Sequence, residues 1–191
     1  KAPELMNYAM FCGGCGHGVL LRLICECLEE YGLDKKTIAA IGVGCSCHLK
    51  SGINVDLVQS PHGRAAAVAT GIRRAEPDKF VFSYQGDGDA YNIGLAETLN
   101  AAYRNENICV FTINNGNFGM TGGQMAPTTL IGQKATTCQE GRTREQAGMP
   151  IRMAEMLSTL DGCAYAERVC VTDIANINKA KKAIKKAFQK Q

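Results

Sequence analysis

Short apolar segments alternate with helical segments along most of this chain, and this alternation limits the folds open to it. Residues 79–84 and 108–113 are continuous apolar runs of strand length, and residues 93–104 between them have helical spacing. Strands without polar alternation are buried on both faces, which is typical of a parallel sheet. The sequence therefore predicts an α/β fold, with a parallel sheet covered by helices on both faces and right-handed crossovers.

The same pattern extends towards both ends of the chain. The further predicted elements are strands over residues 37–43 and 164–171, helices over residues 18–31, 63–75 and 151–160, and a lysine-rich helix at the end. Residues 114–150 are rich in glycine, threonine and proline and lack periodicity, which is typical of a functional loop. Without repeats or linkers, residues 1–191 are interpreted as one domain. Because such domains normally continue with another strand after a helix, we expect that a C-terminal segment is missing.

Composition and hydropathy argue against several classes of protein. With 46% hydrophobic and 20% charged residues among 191, the chain has enough apolar material for one core. No segment approaches the roughly 18 consecutive apolar residues that a spanning helix needs. We therefore expect no membrane span and no membrane partner; a secretory leader is also not recognisable after Lys1.

The net charge of +3 arises at the end of the chain. Six lysines follow the last acidic residue, Asp173, and the remainder carries 15 basic and 18 acidic residues. The six are Lys179, Lys181, Lys182, Lys185, Lys186 and Lys190. Their helical spacing, without the interleaved aromatic residues of a stacking platform, favours a solvated helix face over nucleic-acid binding.

Ten cysteines are many for a chain of this length. A secreted disulfide scaffold would usually be smaller and less apolar, so the composition favours a reducing cytoplasm. Four cysteines lie in apolar runs and are predicted to be core residues: Cys25, Cys27, Cys109 and Cys170. Four others lie in two glycine-rich loops, where thiolates could bind a metal or a cluster: Cys12, Cys15, Cys45 and Cys47.

Two polar motifs directly follow neighbouring predicted strands. Gly86, Asp87 and Gly88 come after the first buried strand, and Asn115 comes after the second. A parallel crossover brings both carboxyl ends to one sheet edge, so Asp87 and Asn115 should lie close together. Their oxygens suit Mg²⁺, and the glycines let phosphate approach the backbone. Each motif alone is typical of a turn or a strand end, but together they favour a metal–diphosphate site.

Five segments extend this pattern to most of the chain. They are Cys-x-x-Cys-Gly-His, Val-Gly-Cys-Ser, His-Gly-Arg-Ala, Gln-Gly-Asp-Gly-Asp and Gly-Met-Thr-Gly-Gly-Gln-Met-Ala-Pro-Thr-Thr. With them the chain resembles thiamine diphosphate enzymes and, more narrowly, the β subunit of 2-oxoacid:ferredoxin oxidoreductases. It is most similar to the 2-oxoisovalerate type, with the 2-oxoglutarate type close behind. The resemblance implies the thiamine diphosphate-binding fold.

The resemblance also implies which residues hold the cofactor. Mg²⁺ would be bound by Asp87, Asn115 and the backbone carbonyl of Asn117. Contacts to thiamine diphosphate are assigned to two glycines and two histidines: Gly86, Gly88, His62 and His17. For either histidine, a local hydrogen-bonding role remains the alternative.

A [4Fe-4S] cluster is the second implied cofactor. Cys12, Cys15 and Cys45 match three of the four ligands of the family, but no Cys-Pro segment supplies the fourth. Either Cys47 substitutes for it, or the cluster is incomplete in this chain. Zinc bound by the same four thiols is the structural rival.

The implied reaction is the oxidative decarboxylation of a 2-oxoacid, with electrons passing through the cluster to ferredoxin and the acyl group to coenzyme A. The glutamate that activates the cofactor would come from a partner α subunit, so no catalytic residue is assigned to this chain. The resemblance also implies γ and δ ferredoxin-like subunits as further partners. His48 is predicted to approach the substrate carboxylate and Met120 the substrate side chain, with a surface histidine and a packing methionine as alternatives.

Two other classes of function remain open from the sequence. A non-oxidative thiamine diphosphate decarboxylase or carboligase would share Asp87 and Asn115 but would not need a cysteine-ligated cluster. A non-catalytic iron–sulfur or zinc protein would use the cysteines but would not bind thiamine diphosphate. Iron content and cofactor binding distinguish these three hypotheses.

Overall fold

The computed structural model describes residues 1–191, which form a parallel sheet, a small hairpin and seven helices. The helices are α1 (Gly16–Glu30), α2 (Leu49–Gly52), α3 (Ala65–Ala75), α4 (Leu95–Tyr103), α5 (Arg144–Ala147), α6 (Met153–Leu157) and α7 (Ile174–Phe188). The strands are β1 (Thr37–Ile41), β2 (Asp56–Gln59), β3 (Phe80–Gly86), β4 (Cys109–Ile113), β5 (Asn117–Phe118) and β6 (Gln124–Met125). A 3-10 turn spans Cys45–His48 and a π-helical turn spans Asp89–Ile93.

The main sheet has four strands in the order β2-β1-β3-β4, and all neighbours are parallel. Strands β3 and β4 are in register so that Gly86 lies opposite Ile113. The next residues of both strands therefore leave the sheet side by side at its carboxyl edge, where ligands bind in folds of this kind.

Helices cover both faces of the sheet, as the uninterrupted apolar strands require. On one face, α1 and α7 pack on side chains such as Ile41, Phe82 and Tyr84. On the other face, the small residues Ala65 and Ala69 of α3 lie against Ala40 and Val81. Alternate residues of β1 and β3 thus belong to two cores, and the predicted α/β fold with both faces covered is confirmed.

The lysine-rich α7 is amphipathic, as predicted. Ala180, Ile184 and Phe188 are buried, and Phe188 lies 4.5 Å from Phe80 between ring centroids. Lys181 forms ion pairs with Glu26 and Glu30 of α1, so part of the basic face stabilises a helix pair. None of the helices in this structure is long and apolar enough to cross a membrane.

Most predicted elements are confirmed within a few residues, but one strand is wrong. Residues 164–171 form no strand, although Tyr165, Val169 and Val171 are residue types that favour strands. These residues and strand β4 line the same cavity of about 1210 Å³, but they do not pair with β4. Without a neighbouring strand the segment has no ladder of hydrogen bonds to join. Cys170 within it is exposed, so its predicted core position is also wrong.

The buried and the exposed cysteines differ in the pKa of their thiols. Cys25, Cys27 and Cys109 are buried as predicted, and burial raises their pKa values to about 12, 11 and 12. Cys170 is exposed, and a hydrogen bond with the Thr172 hydroxyl, 3.2 Å away, lowers the pKa of its thiol.

We expect iodoacetamide to label Cys170 in the folded protein much faster than the three buried cysteines, because the thiolate is the nucleophile. Peptide mass spectrometry after timed labelling measures the rates at each site, and labelling in urea is the control for intrinsic reactivity. Labelling of Cys25 at the rate of Cys170 under native conditions would contradict this burial pattern.

Candidate functional site

Asp87 lies at the carboxyl edge of the sheet, one residue beyond β3. It is buried, and its Oδ2 accepts hydrogen bonds from the backbone N–H of Gly116, 3.0 Å away, and from the Thr128 hydroxyl. Burial raises the pKa of Asp87, and the two hydrogen bonds oppose that shift. A desolvated carboxylate of this kind is suited to a cation that restores its favourable electrostatics.

The turn after β4 is folded onto this carboxylate. Gly116 has a φ of +72°, a conformation that favours glycine, and its N–H also lies 3.2 Å from the Asn114 side-chain oxygen. Asn115 Oδ1 accepts from the Asn117 N–H at 3.3 Å. The Asn117 side-chain oxygen Oδ1 is buried without a hydrogen-bond partner.

These oxygens fit a Mg²⁺ ion. Asp87 and the Asn115–Asn117 turn meet through Gly116, as the parallel register of β3 and β4 requires. Hard oxygen ligands of one carboxylate and amide groups match the preference of Mg²⁺. The buried side-chain oxygen of Asn117 is energetically costly unless a ligand forms a contact with it. The sequence analysis assigned the backbone carbonyl of Asn117, not this side-chain oxygen, as the Mg²⁺ ligand.

The two glycines that flank Asp87 have different surroundings. A Cβ atom on Gly88 would lie 2.4 Å from the Phe118 ring, so this close approach requires glycine. A Cβ on Gly86 would meet nothing within 4 Å. Gly88 therefore packs against the turn that follows β4, while Gly86 borders open space.

His62 is bound to a second acid that the sequence analysis did not assign. Asp89 is buried, and its Oδ1 accepts from the His62 ring and from the Gly63 N–H at 2.7 Å. The His62 and Phe118 rings lie 6.5 Å apart in an edge-on arrangement. Because Phe118 packs on Gly88, His62 lies beside the site. The second aspartate of Gly-Asp-Gly-Asp was the available signal for Asp89.

His17 lies inside the protein, with 2% of its surface exposed. Its Nδ1 is 2.9 Å from the Tyr84 hydroxyl, and its ring stacks on Phe11 with centroids 4.7 Å apart. Burial, assisted by the charge of His48, lowers the pKa of His17 to about 4. The geometry gives His17 the local hydrogen-bonding role that was the alternative to cofactor contact.

The two predicted substrate residues occupy different environments. His48 ends the 3-10 turn, and its ring lies edge-on to Phe11 at 6.1 Å. Its Nδ1 is buried without a partner. Met120 is 46% exposed and belongs to the loop that joins the two hairpin strands β5 and β6.

The four loop cysteines share one neighbourhood. Burial raises the pKa of Cys45, and electrostatic interaction with Cys15, Cys12 and Cys47 raises it further. A Cβ on Gly119 would lie 3.5 Å from Cys45 Sγ and 3.4 Å from Asn117 Oδ1, which brings the cysteine loop against the turn after β4. No three or more His, Cys, Asp or Glu side chains are grouped closely enough here to hold a metal ion.

Arg142 holds the long loop that covers the site. It is 4% exposed, and its guanidinium donates to six backbone carbonyls and to no carboxylate. The acceptors belong to Ala126, Pro127, Thr129, Ala147, Gly148 and Met149. Thr128, which donates to Asp87, lies between two of these acceptors, Pro127 and Thr129. No motif in the sequence marks Arg142.

The family described as thiamine pyrophosphate enzyme, C-terminal TPP binding domain, matches residues 42–191. This match covers most of the chain, and the chain belongs to that family. The parallel sheet with its polar carboxyl edge is therefore a thiamine diphosphate-binding domain.

More particularly, the relatives are 2-oxoacid oxidoreductase subunits. The chain is 47% identical over 191 residues to ketoisovalerate oxidoreductase subunit VorA of Methanothermobacter thermautotrophicus, and the alignment covers 100% of this chain and 39% of VorA. It is 36% identical over 188 residues to 2-oxoglutarate synthase subunit KorB of Methanocaldococcus jannaschii, and that alignment covers 95% of this chain and 65% of KorB. The predicted family is confirmed, and so is the prediction that the chain is more similar to the 2-oxoisovalerate type than to the 2-oxoglutarate type.

A solved structure supports the same relationship. The 2-oxoglutarate:ferredoxin oxidoreductase from Magnetococcus marinus, with 2-oxoglutarate, coenzyme A and succinyl-CoA bound, has a TM-score of 0.86 and 28% identity. The alignment covers 99% of this chain and 64% of that chain. The present chain thus spans about two fifths of the length of VorA and about two thirds of that solved chain.

Proposed function

We propose that this chain is the thiamine diphosphate-binding part of a 2-oxoacid:ferredoxin oxidoreductase, forming acyl-CoA and CO₂ from a 2-oxoacid. The observation that carries the proposal is the buried Asp87 carboxylate held against the Asn115–Asn117 turn at the carboxyl edge of the sheet. The family match and the identity to VorA and KorB support the same function.

In this function, Asp87, Asn115 and an oxygen of Asn117 would hold Mg²⁺, which would neutralise the charge of the cofactor diphosphate. Gly86, which borders open space, leaves the backbone open to phosphate, whereas Gly88 packs on Phe118 and would have to meet the cofactor through its backbone alone. When bound, thiamine diphosphate would supply a carbanion nucleophile and the electron sink for decarboxylation. His62 lines the cofactor from the side of Phe118.

The activating glutamate comes from a partner α subunit in this proposal. Glu97, the acid nearest to the Gly-Asp-Gly-Asp motif along the following helix, forms an ion pair with Arg64 and is not assigned that role. Cys12, Cys15 and Cys45, with Cys47 as the fourth candidate, would hold a [4Fe-4S] cluster after their side chains draw together, and that cluster would supply one-electron transfer. Ferredoxin and coenzyme A are the proposed electron and acyl acceptors, and γ and δ subunits would complete the assembly.

The decisive experiment measures two properties on one anaerobically purified sample of the chain with its partner subunit. We expect Mg²⁺-dependent binding of thiamine diphosphate by calorimetry and about four irons per chain, with acid-labile sulfide. Cofactor binding with no iron would leave two interpretations, an oxidoreductase subunit with an incomplete cluster or a carboligase, and addition of a C-terminal segment would decide between them. Tetrahedral zinc would favour the structural rival at the cysteines. Absence of cofactor binding with the partner present would contradict the thiamine assignment.

The identity to VorA supports a branched-chain 2-oxoacid as substrate, with His48 at its carboxylate and Met120 at its side chain. We expect Met120→Ala to raise the KM for 2-oxoisovalerate by about tenfold in the assembled enzyme, because lost apolar contacts cost about 1–3 kcal/mol. The KM for pyruvate, with its short side chain, should change much less. Met149→Ala, at another exposed loop methionine, is the matched control. Equal changes for both 2-oxoacids would contradict the assignment of Met120.

A further inference from the structure

The Asp89 side chain is held by hydrogen bonds beside the proposed cofactor site. It is buried and accepts from three donors: His62 Nδ1, the Gly63 N–H at 2.7 Å and Gln85 Nε2 at 2.7 Å. A Cβ on Gly42 would lie 2.0 Å from Asp89 Oδ2, so the neighbouring strand end closes on the carboxylate. Asp89 also opens the π-helical turn Asp89–Ile93, a conformation often found at functional sites.

These contacts determine which ring nitrogen of a neutral His62 carries the proton. The Gly63 N–H donates to Asp89 Oδ1 and the Gln85 amide nitrogen donates to Asp89 Oδ2, so both carboxyl oxygens act as hydrogen-bond acceptors here. Nδ1 of His62 must therefore be the protonated nitrogen when it bonds Asp89, and Nε2 is then the unprotonated one. No hydrogen-bond partner for Nε2 occurs in the structure, and it is not among the buried unsatisfied atoms.

The ring is also placed where a ligand would meet it. His62 is partly exposed, with 35% of its side-chain surface accessible, whereas Asp89 beneath it has 1%. Phe118 lies edge-on to His62 and packs over Gly88, one residue beyond Asp87. The free nitrogen therefore belongs to the exposed part of a ring that borders the Asp87 site.

We propose that Asp89 is a positioning residue that fixes the Nδ1–H tautomer of His62, so that Nε2 is a hydrogen-bond acceptor for an N–H or O–H group of the bound ligand. The acceptor role rests on the proposed function of the site, whereas the tautomer follows from the contacts of Asp89 alone. A histidine held in this way would disfavour a ligand that offers only acceptor atoms at that position.

Nitrogen-15 NMR of the purified chain tests the tautomer directly at about pH 8, where an ordinary imidazole is neutral. The chain has three histidines, and the spectrum of His62→Gln assigns the His62 signals. We expect a pyrrole-type signal for Nδ1 and a pyridine-type signal for Nε2 of His62. The reverse pattern, or two pyrrole-type signals, would overturn the proposal whether or not thiamine diphosphate binds.

Two variants separate the acceptor oxygen of Asp89 from its charge. In Asp89→Asn, the fixed N–H of Gly63 keeps the amide oxygen facing His62, and the new NH₂ group faces Gln85. Gln85 Oε1 is buried without a partner and can accept from that NH₂ group once the Gln85 amide flips. Asp89→Asn should therefore keep the Nδ1–H tautomer, whereas Asp89→Ala should release it.

In the assembled enzyme, we expect Asp89→Ala to raise the KM for thiamine diphosphate by about tenfold or more, as losses of outer-shell partners do. Asp89→Asn should raise it by less than about threefold, because the tautomer is retained. An equal rise in both variants would assign the effect to charge and overturn the proposal. If Asp89→Ala does not fold, the wild-type and Asp89→Asn spectra still decide the tautomer.

Discussion

Asp87→Asn is expected to weaken Mg²⁺-dependent binding of thiamine diphosphate by more than about 100-fold, since losses of outer-shell partners alone typically cost 10–100-fold. The substitution removes the one acidic side chain among the proposed ligands and keeps its size. Calorimetry with and without Mg²⁺ measures the effect. Asp78→Asn, an exposed acid just before the start of β3, is the matched control. Binding within about threefold of wild type would contradict the role of Asp87.

The same variant should not unfold the protein without its cofactor. The amide oxygen can still accept from Gly116 and Thr128, and burial of a charge is no longer needed. Burial raises the pKa of Asp87 in the folded state, so this group stabilises the fold below its unfolded pKa of about 4 and loses that contribution as pH rises through the folded pKa. The free energy of unfolding of Asp87→Asn at neutral pH should therefore be equal to or above that of wild type, as urea denaturation would measure.

Arg142→Ala is expected to lower the free energy of unfolding by about 3–5 kcal/mol, because it leaves four of the six backbone carbonyls without a hydrogen-bond donor. The other two carbonyls, of Ala126 and Pro127, also accept from the backbone N–H groups of Thr129 and Ile151. The covering loop, residues 126–149, should become sensitive to proteases, and Thr128 should lose its fixed position against Asp87. Urea denaturation and limited proteolysis with mass spectrometry measure both effects.

Arg144→Ala is the matched control for that substitution, since Arg144 is exposed two residues away. Arg142→Lys should be intermediate, because an ammonium has three donors where the guanidinium has five in a planar fork. A change in unfolding free energy below about 1 kcal/mol for Arg142→Ala, with an unchanged cleavage pattern, would show that the hydrogen bonds from Arg142 to the backbone carbonyls do not hold the loop.

The strand–helix–strand unit around β3, α4 and β4 was predictable because its signals are local. Continuous apolar strands and an amphipathic helix permit few arrangements, and right-handed parallel crossover then places Asp87 beside the Asn115–Asn117 turn. Strand β2 was missed because Asp56–Gln59 is short and lies at the sheet edge, where its burial pattern is weak. Residues 164–171 have the composition of a strand, but a strand exists only where a neighbour supplies its hydrogen bonds.

The sequence by itself determined the class of fold, the family and the position of the proposed magnesium site, since periodicity and short motifs carry that information within some 30 residues. Only the tertiary structure decided that His17 is buried against Tyr84, that Asp89 holds His62 and that Arg142 holds the covering loop. Those contacts join residues distant in the chain or depend on the path of an irregular loop. Hydrogen-bond partners of buried polar groups are selected by three-dimensional proximity, which no local pattern in the sequence encodes.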